Sequence, residues 1–273
     1  MRVLLIGHPV AHSKSPLMQN AAFEALGLLA WRYELCDTPL ENLAERVAFL
    51  RHQSDIAGAN VTIPHKQAVL PLLDALSPAA QSIGAVNTIF KRGGVLIGDN
   101  TDWLGFLADL EHHGVNVGAD TRALVLGAGG SARAVAYALC QRGARVWLHN
   151  RTHARAQALA EAMGSQVQVC SSLSDVVGEV ALVVNCTSLG MWPRADQSPW
   201  DERVPMLRGA VLYDLVYNPP RTRLMQQAEQ AGLRAINGLG MLAEQGAAAF
   251  ALWTGVPAAR VSSIMRHVLA SHA

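Results

Sequence analysis

The chain has 273 residues, 51% hydrophobic and 16% charged, a size and composition that suit two well-packed domains and exclude intrinsic disorder. Lysine plus arginine (22) nearly balances aspartate plus glutamate (21), and no apolar run approaches the roughly 20 residues of a membrane span, so we expect no nucleic-acid and no membrane partner. The N-terminus does not resemble a signal peptide, and the four cysteines and ten histidines lack metal-ligand spacing, so we expect a cytoplasmic protein without a metal site.

The first part of the chain alternates between predicted strands and helices, a pattern typical of a largely parallel α/β architecture. Ser15 is the predicted N-cap of the first helix, which Pro16 would start and Gly27 would end. The predicted elements in chain order are a strand at 3–7, a helix at 15–27, a strand near 31–35, a helix near 39–52, a strand at 58–63, a hairpin at 87–100 that turns at Gly93-Gly94, and a helix from 101 to about 113.

The stretch NVTIPHK, residues 60–66, raises the question of function. Strand alternation would direct Val61 and Ile63 to one face and Asn60 and Thr62 to the other. Pro64 then ends the strand shortly before Lys66. The polar face therefore meets either solvent or a small polar molecule, and the stretch alone does not decide between them.

A connection rich in glycine and polar residues, 114–122, predicts a domain boundary and is followed by a second strand–helix series. Within that series, GAGGSA places Gly127, Gly129 and Ala132 in the spacing of a dinucleotide-binding turn between a strand and a helix. The predicted elements are strands at 123–127, 145–150, 180–186 and 210–217, helices at 132–141 and up to about 163, and a helical chain from about 237 to the end.

The segment after the second strand of that series distinguishes the cofactors. An NAD site usually places a carboxylate there for the ribose 2′-hydroxyl. The sequence instead reads HNRTHAR, with Arg151 and Arg155 and no acidic residue, and a guanidinium suits a 2′-phosphate by charge and geometry. The sequence therefore predicts that NADP is preferred.

Other polar residues suggest a substrate site. Ser13 and Ser15 lie beside a predicted helix start, where two hydroxyls and helix N–H groups would bind a carboxylate. Asn87 is predicted on a strand, and Asp102 in the first turn of a helix, where an aspartate is commonly a helix-start charge.

Taken together, the Ser13-x-Ser15 pair and the motifs NVTIPHK, GAVNT, NTD, GAGGSARA, NRT and GLGMLAEQ resemble the shikimate dehydrogenase family from residue 3 to about 255. The resemblance implies an α/β substrate-binding domain (1–113 plus 239–273), whose C-terminal helices pack back on it, and a Rossmann NADP-binding domain (114–238). It implies reversible, NADPH-dependent reduction of 3-dehydroshikimate to shikimate, a step toward chorismate and the aromatic amino acids.

The resemblance also implies a role for individual residues. Lys66 and Asp102 match the catalytic pair, although the residues leave open which of the two carries the transferred proton. The substrate-binding positions are Ser13, Ser15, Asn60, Thr62, Asn87, Tyr217 and Gln245. The cofactor-binding positions are Gly127, Ala128, Gly129, Gly130, Ser131, Asn150, Arg151, Thr152, Arg155, Leu215 and Gly238.

Two alternatives stay open. One is a quinate/shikimate dehydrogenase with relaxed substrate or cofactor choice, although relatives of that kind often alter the serine pair and prefer NAD. The other is a non-catalytic, ligand-binding regulatory homologue, which we would expect to lose Lys66 or Asp102. The sequence does not distinguish a monomer from a homodimer.

Overall fold

Strands and helices alternate along residues 1–176 and 180–272, which are the residues that the computed structural model describes. The strands are β1 (Arg2–Gly7), β2 (Arg32–Asp37), β3 (Ile56–Val61), β4 (Ala75–Leu76), β5 (Thr88–Arg92), β6 (Val95–Asp99), β7 (Arg122–Leu126), β8 (Arg145–His149), β9 (Val167–Val169), β10 (Leu182–Asn185), β11 (Val211–Asp214) and β12 (Arg234–Asn237). The α-helices are α1 (Ser15–Ala25), α2 (Leu43–His52), α3 (Pro78–Ile83), α4 (Asp102–His112), α5 (Gly130–Gln141), α6 (His153–Met163), α7 (Arg223–Gln230), α8 (Leu239–Thr254) and α9 (Ser262–Ala270). Short 3₁₀ helices occur at Leu40–Asn42, Leu70–Leu72, Leu173–Val176 and Ala258–Arg260.

The contacts divide the chain into two units, Met1–Ala108 with the chain from Leu242 onward, and Asp109–Met241. Each unit contains its own sheet, which is mixed in the first unit and parallel in the second. The predicted two-domain α/β fold is therefore confirmed. One boundary between the units falls inside α4, and the other falls inside α8. The predicted functional limits after residues 113 and 238 stay a prediction.

In the first unit, the described strands form a sheet in the order β2-β1-β3-β5-β6-β4. β1 pairs in parallel with β2 and β3, and β5 pairs antiparallel with β3 and β6. Gly93 and Gly94 turn the β5–β6 hairpin with φ of 58° and 82°, a left-handed conformation that glycine adopts without a steric cost, as predicted. Helix α9 packs against α1, so the C-terminal helix does return to this unit.

Two local predictions were wrong. Strand β3 ends at Val61, so Ile63 does not share its buried face and is 56% exposed. Lys14 is the N-cap of α1 and Ser15 is the first helical residue. The C-terminal region is helical, as predicted, and is divided where Gly255 takes φ of 76° and Pro257 follows, so that α8 ends at Thr254 and α9 begins at Ser262.

In the second unit, the described strands are all parallel, in the order β12-β11-β10-β7-β8-β9. The order reverses between β7 and β10, and ligands of such sheets bind beyond the carboxyl ends of the strands at that point. Strands β9 and β12 and helix α7 were not predicted, because short segments carry a weak periodic signal.

Each unit buries its own apolar core. Leu4, Ile6, Val47, Leu50 and Ile89 belong to a cluster in the first unit. A cluster in the second unit includes Leu124, Val183, Leu212, Trp200 and Leu224. Nowhere in residues 1–176 and 180–272 does a helix have the length and hydropathy to cross a bilayer.

Candidate active site

Lys66 and Asp102 form an ion pair although 36 residues separate them, with Lys66 Nζ 2.7 Å from Asp102 Oδ2. The turn after β3 places the lysine, since His65 N–H donates to the Thr62 carbonyl and Val86 N–H donates to the Lys66 carbonyl. Asp102 begins α4, and the Asn100 side chain accepts its N–H. The two side chains are only 13% and 6% exposed. Removing one member of such a pair leaves a buried charge without compensation, which commonly costs about 3–5 kcal/mol.

Asn87 connects this pair to Gln245. Its Nδ2 lies 2.8 Å from Asp102 Oδ1, 3.0 Å from Thr101 Oγ1 and 3.2 Å from Gln245 Oε1. Its Oδ1 accepts the Thr101 N–H at 2.7 Å, and because a backbone N–H can only donate, this contact fixes the orientation of the amide. The structure therefore brings together four of the predicted residues, Lys66, Asp102, Asn87 and Gln245.

Gln245 is held by a close approach between two helices. A Cβ on Gly105 of α4 would lie 2.5 Å from the Gln245 nitrogen and 2.9 Å from its Cα. Glycine at position 105 therefore allows the α8 backbone to lie against α4. The side chain is 9% exposed and its Nε2 donates to the Leu242 carbonyl, which orients Oε1 toward Asn87.

The predicted carboxylate-binding serines lie next to each other at the start of α1. Ser13 Oγ accepts the Ser15 N–H at 3.2 Å, and the Ser15 side chain is buried. Across residues 1–176 and 180–272, neither serine hydroxyl donates to a protein acceptor, and the same holds for the Thr62 hydroxyl. These three O–H groups are therefore able to donate to a ligand.

Asn60, like Asn87, already uses its amide hydrogens inside the protein. Its Nδ2 donates to the Asn87 carbonyl and to Thr88 Oγ1, and its Oδ1 accepts the Tyr33 hydroxyl. The residue is 6% exposed and both amide hydrogens are used inside the protein. A ligand could engage only the remaining lone pair of Oδ1.

The glycine turn fits a bound dinucleotide. Gly127 adopts φ of 113°, a conformation that favours glycine, and a Cβ there would meet the Cys186 backbone at 3.2 Å. A Cβ on Gly129, in contrast, would meet no atom within 4 Å, so the backbone at this position is accessible to a ligand. Gly129 is the N-cap of α5 and makes no side-chain cap hydrogen bond, and a helix start of this kind is suited to receive a phosphate. Ala128 lies between the two glycines, half-buried.

The residues after β8 provide positive charge at the same sheet edge. Arg151, Thr152 and Arg155 are exposed, and in the described part of the chain neither arginine pairs with a carboxylate. Asn150 Nδ2 donates to the Thr152 carbonyl and Arg155 N–H donates to the same carbonyl, so the segment is ordered by its own backbone. This arrangement fits a 2′-phosphate and offers no carboxylate for a ribose 2′-hydroxyl.

Leu215 and Gly238, which are predicted to bind the nicotinamide end of the cofactor, contact each other through their backbones. A Cβ on Gly238 would lie 2.2 Å from the Leu215 carbonyl oxygen, so only glycine permits this approach of the two backbones. Tyr217 follows two residues after Leu215 and is half-buried.

A buried polar cluster around Asp214, which the sequence did not suggest, stabilises the chain next to Leu215. Asp214 Oδ1 accepts from Asn185 Nδ2 at 2.8 Å and from the Val216 N–H at 3.0 Å, and Oδ2 accepts the Thr222 hydroxyl at 2.7 Å. Burial raises the pKa of the Asp214 carboxyl to about 6, although these hydrogen bonds oppose the shift. Asp214 thus joins the ends of β10 and β11 to the start of α7.

Thr101 and Thr88 were also missed, although both belong to motifs that the sequence displays. Thr101 directly precedes Asp102 in NTD, and Thr88 directly follows Asn87 in GAVNT. Both are buried and contact Asn87, which a periodicity argument does not reveal. In residues 1–176 and 180–272, no cluster of three or more His, Cys, Asp or Glu is arranged to hold a metal ion.

Comparisons with known proteins agree with this geometry. Three family models match: "Shikimate dehydrogenase substrate binding domain" over residues 5–89, "Shikimate / quinate 5-dehydrogenase" over 109–191, and "Shikimate 5'-dehydrogenase C-terminal domain" over 238–269.

Individual relatives match over nearly the whole length. A shikimate dehydrogenase (NADP(+)) of Symbiobacterium thermophilum is 46% identical over 92% of this chain and 88% of its own, and that of Moorella thermoacetica is 46% identical over 98% and 93%. The crystal structure of shikimate 5-dehydrogenase from Thermus thermophilus, in complex with NADP(H) and shikimate, covers 98% of this chain and 99% of its own with 43% identity and a TM-score of 0.87.

Proposed function

This chain belongs to the shikimate dehydrogenase family, and from that premise we propose that it catalyses the NADPH-dependent, reversible reduction of 3-dehydroshikimate to shikimate. The enzyme is an NADP-dependent oxidoreductase acting on a CH–OH group, within aromatic amino-acid biosynthesis. The observation that carries the proposal is the buried Lys66–Asp102 pair, which Asn87 joins to Gln245.

The chemistry assigns a role to each member of the pair. When bound, NADPH would supply a hydride to the carbonyl carbon, and the C=O electron pair would move onto oxygen. Lys66 then gives a proton to that oxygen, so that an alcohol forms. Asp102 holds the lysine through Oδ2, while its Oδ1 is held by Asn87. In the reverse direction the lysine accepts the proton of the shikimate hydroxyl as the hydride leaves.

We propose that the polar groups described above bind the ring and the carboxylate of the substrate. Ser13 and Ser15 donate hydroxyl hydrogens to the carboxylate, and Thr62, Asn87 and Gln245 contact the ring hydroxyls. Tyr217 would also contact the substrate. Asn60 contributes through its bonds to Thr88 and to the backbone of Asn87, with one lone pair left for the ring.

The cofactor residues divide by the part of NADP that each would bind. The turn from Gly127 to Ser131 would hold the pyrophosphate, and Leu215 with Gly238 the nicotinamide end. Asn150, Arg151, Thr152 and Arg155 would hold the 2′-phosphate. Two exposed guanidiniums without acidic partners in the described part of the chain support a preference for NADP.

Initial rates with shikimate and with quinate, each with NADP⁺ and with NAD⁺, test the proposal directly. We expect the highest kcat/KM for shikimate with NADP⁺. Comparable efficiency with quinate or with NAD⁺ would favour the quinate/shikimate alternative, and ligand binding without turnover would favour the regulatory homologue.

One further property belongs to the proposal. We propose a cytoplasmic location, which the free thiols of Cys36, Cys140, Cys170 and Cys186 and the use of NADPH support. The oligomeric state stays open between a monomer and a homodimer, and sedimentation velocity at micromolar concentration would distinguish the two.

A further inference from the structure

A chain of hydrogen bonds runs from Tyr33 to Asp102 through the interior of the first unit. Its links join Tyr33 Oη to Asn60 Oδ1 at 2.8 Å, Asn60 Nδ2 to Thr88 Oγ1 at 3.1 Å, Thr88 Oγ1 to Asn87 Oδ1 at 3.0 Å, and Asn87 Nδ2 to Asp102 Oδ1 at 2.8 Å. Each of the five residues is at most 6% exposed, so water does not compete for these bonds.

Backbone groups fix the polarity of this chain at both amides. Asn60 Nδ2 lies 3.0 Å from the Asn87 carbonyl, which can only accept, so the nitrogen of Asn60 must be on that side. The Thr101 N–H, which can only donate, lies 2.7 Å from Asn87 Oδ1 and fixes the second amide. Both side-chain orientations follow from these contacts.

The fixed amides then direct the hydroxyl hydrogens along the chain. Asn60 Oδ1 has no hydrogen, so the Tyr33 hydroxyl must donate to it. Thr88 Oγ1 accepts from Asn60 and donates its own hydrogen either to Asn87 Oδ1 at 3.0 Å or to Thr101 Oγ1 at 3.3 Å, and in the second case the Thr101 hydroxyl donates to Asn87 Oδ1 at 3.2 Å. Every donor therefore points toward the Asp102 carboxylate, which receives Lys66 on its other oxygen.

We propose that Thr88 and Tyr33 are positioning residues for the proposed reaction, because they hold the Asn87 amide on Asp102 through a unidirectional chain of buried hydrogen bonds. Bonds arranged head to tail polarise one another, so the loss of one weakens those that follow. A less well-held Asp102 would in turn hold Lys66 less well. Because ring binding also uses Ser13, Ser15, Thr62 and Gln245, the loss falls on turnover more than on binding. This inference rests on the proposed function.

Thr88→Val tests the proposal, since valine keeps the shape and removes the hydroxyl. We expect kcat for shikimate oxidation to fall about 10-fold and the shikimate KM to stay within about 2-fold. Thr88→Ser restores the hydroxyl and should keep kcat within about 2-fold of the wild type. Thr38→Val is the matched control, because the buried Thr38 hydroxyl donates to the Cys36 carbonyl and is not part of the chain.

Tyr33→Phe keeps the ring packed near Trp253 and removes only the first donor, so it provides a second test if Thr88→Val does not fold. Its kcat should fall about 3-fold with an unchanged KM. The proposal is overturned if folded Thr88→Val or Tyr33→Phe keeps wild-type kcat, or if Thr88→Ser or Thr38→Val loses as much as Thr88→Val. The wild type is assayed first: no turnover with shikimate and NADP⁺ refutes the proposed function instead.

Discussion

The ammonium of Lys66 lies 2.7 Å from the Asp102 carboxylate in a site where both side chains are largely shielded from water. Shielding from water strengthens the interaction between the two charges. It also makes either charge costly to bury once its partner is removed. The same carboxylate is held by Asn87 on its second oxygen, so its position is set from two sides.

Lys66→Ala should lower kcat by about 10²–10⁴-fold with little change in the shikimate KM, because it removes the proposed proton donor and leaves the proposed ring-binding groups in place. Steady-state kinetics in both directions measure the effect. Lys91→Ala is the control, since Lys91 is a half-buried lysine of β5 that donates to the Gln53 carbonyl. Near-normal turnover of Lys66→Ala would contradict the assigned role.

Replacing both Arg151 and Arg155 by serine should raise the NADP⁺ KM about 10–100-fold, the scale of one or two lost hydrogen bonds to a charged group. The NAD⁺ KM should change little because NAD has no 2′-phosphate. Arg142→Ser serves as the control, since Arg142 is an exposed arginine of the second unit paired with Glu111. An equal rise in KM for both cofactors would show that these arginines do not bind the 2′-phosphate.

Asp214→Asn should change how stability depends on pH. Burial raises the carboxyl pKa from 3.8 to about 6 in the folded protein, so the protonated form favours folding and this contribution is lost as the pH rises toward and through 6. The asparagine variant cannot titrate. Its free energy of unfolding relative to wild type should therefore rise by roughly 2 kcal/mol between about pH 4.5 and 7.5.

Urea unfolding of both proteins at several pH values gives this difference directly, and titrations common to both cancel. A difference that stays constant with pH would contradict the elevated pKa. The comparison is well matched because asparagine can still accept from Asn185 and Val216 through its oxygen.

Gly105→Ala should weaken substrate binding without altering cofactor binding. The new Cβ would lie 2.5 Å from a backbone atom of Gln245, which cannot rotate away, so α8 must move and carry Gln245 from Asn87. We expect a several-fold higher shikimate KM, an unchanged NADP⁺ KM and a loss of about 1–3 kcal/mol of stability.

Gly118→Ala is the matched control for this substitution, because a Cβ there meets no atom within 4 Å. If Gly105→Ala keeps the wild-type shikimate KM and unfolding free energy, the close approach of α4 and α8 does not position Gln245.

The sequence predicts the main alternation of strands and helices because most elements carry a clear periodicity or a glycine end. It fails where the signal is local and short. The alternation of Val61 and Ile63 suggests one continuing strand, yet the chain leaves the sheet after Val61 and exposes Ile63. Ser15 resembles an N-cap, but α1 starts one residue earlier than that assignment requires.

Contacts within the site were less predictable than its members. Family resemblance points to Asn60 and Asn87 as ring ligands, whereas the roles of Tyr33 and Thr88 depend on hydrogen bonds between residues of β2, β3 and β5. Such contacts arise from strand order and side-chain direction, which one sequence does not specify. Asp214 was missed for the same reason, since Asn185 and Thr222 lie 29 and 8 residues away.

The contact at Gly105 has a practical consequence for redesigning the specificity of this enzyme. Because the Gln245 main chain rests directly on α4, a mutant library at position 245 would present its new side chains from a nearly fixed Cα. Selectivity for altered ring substituents should therefore follow the length and polarity of the residue chosen there. Diversifying position 105 would instead lower the number of folded variants in the library and would offer no new substrate preference.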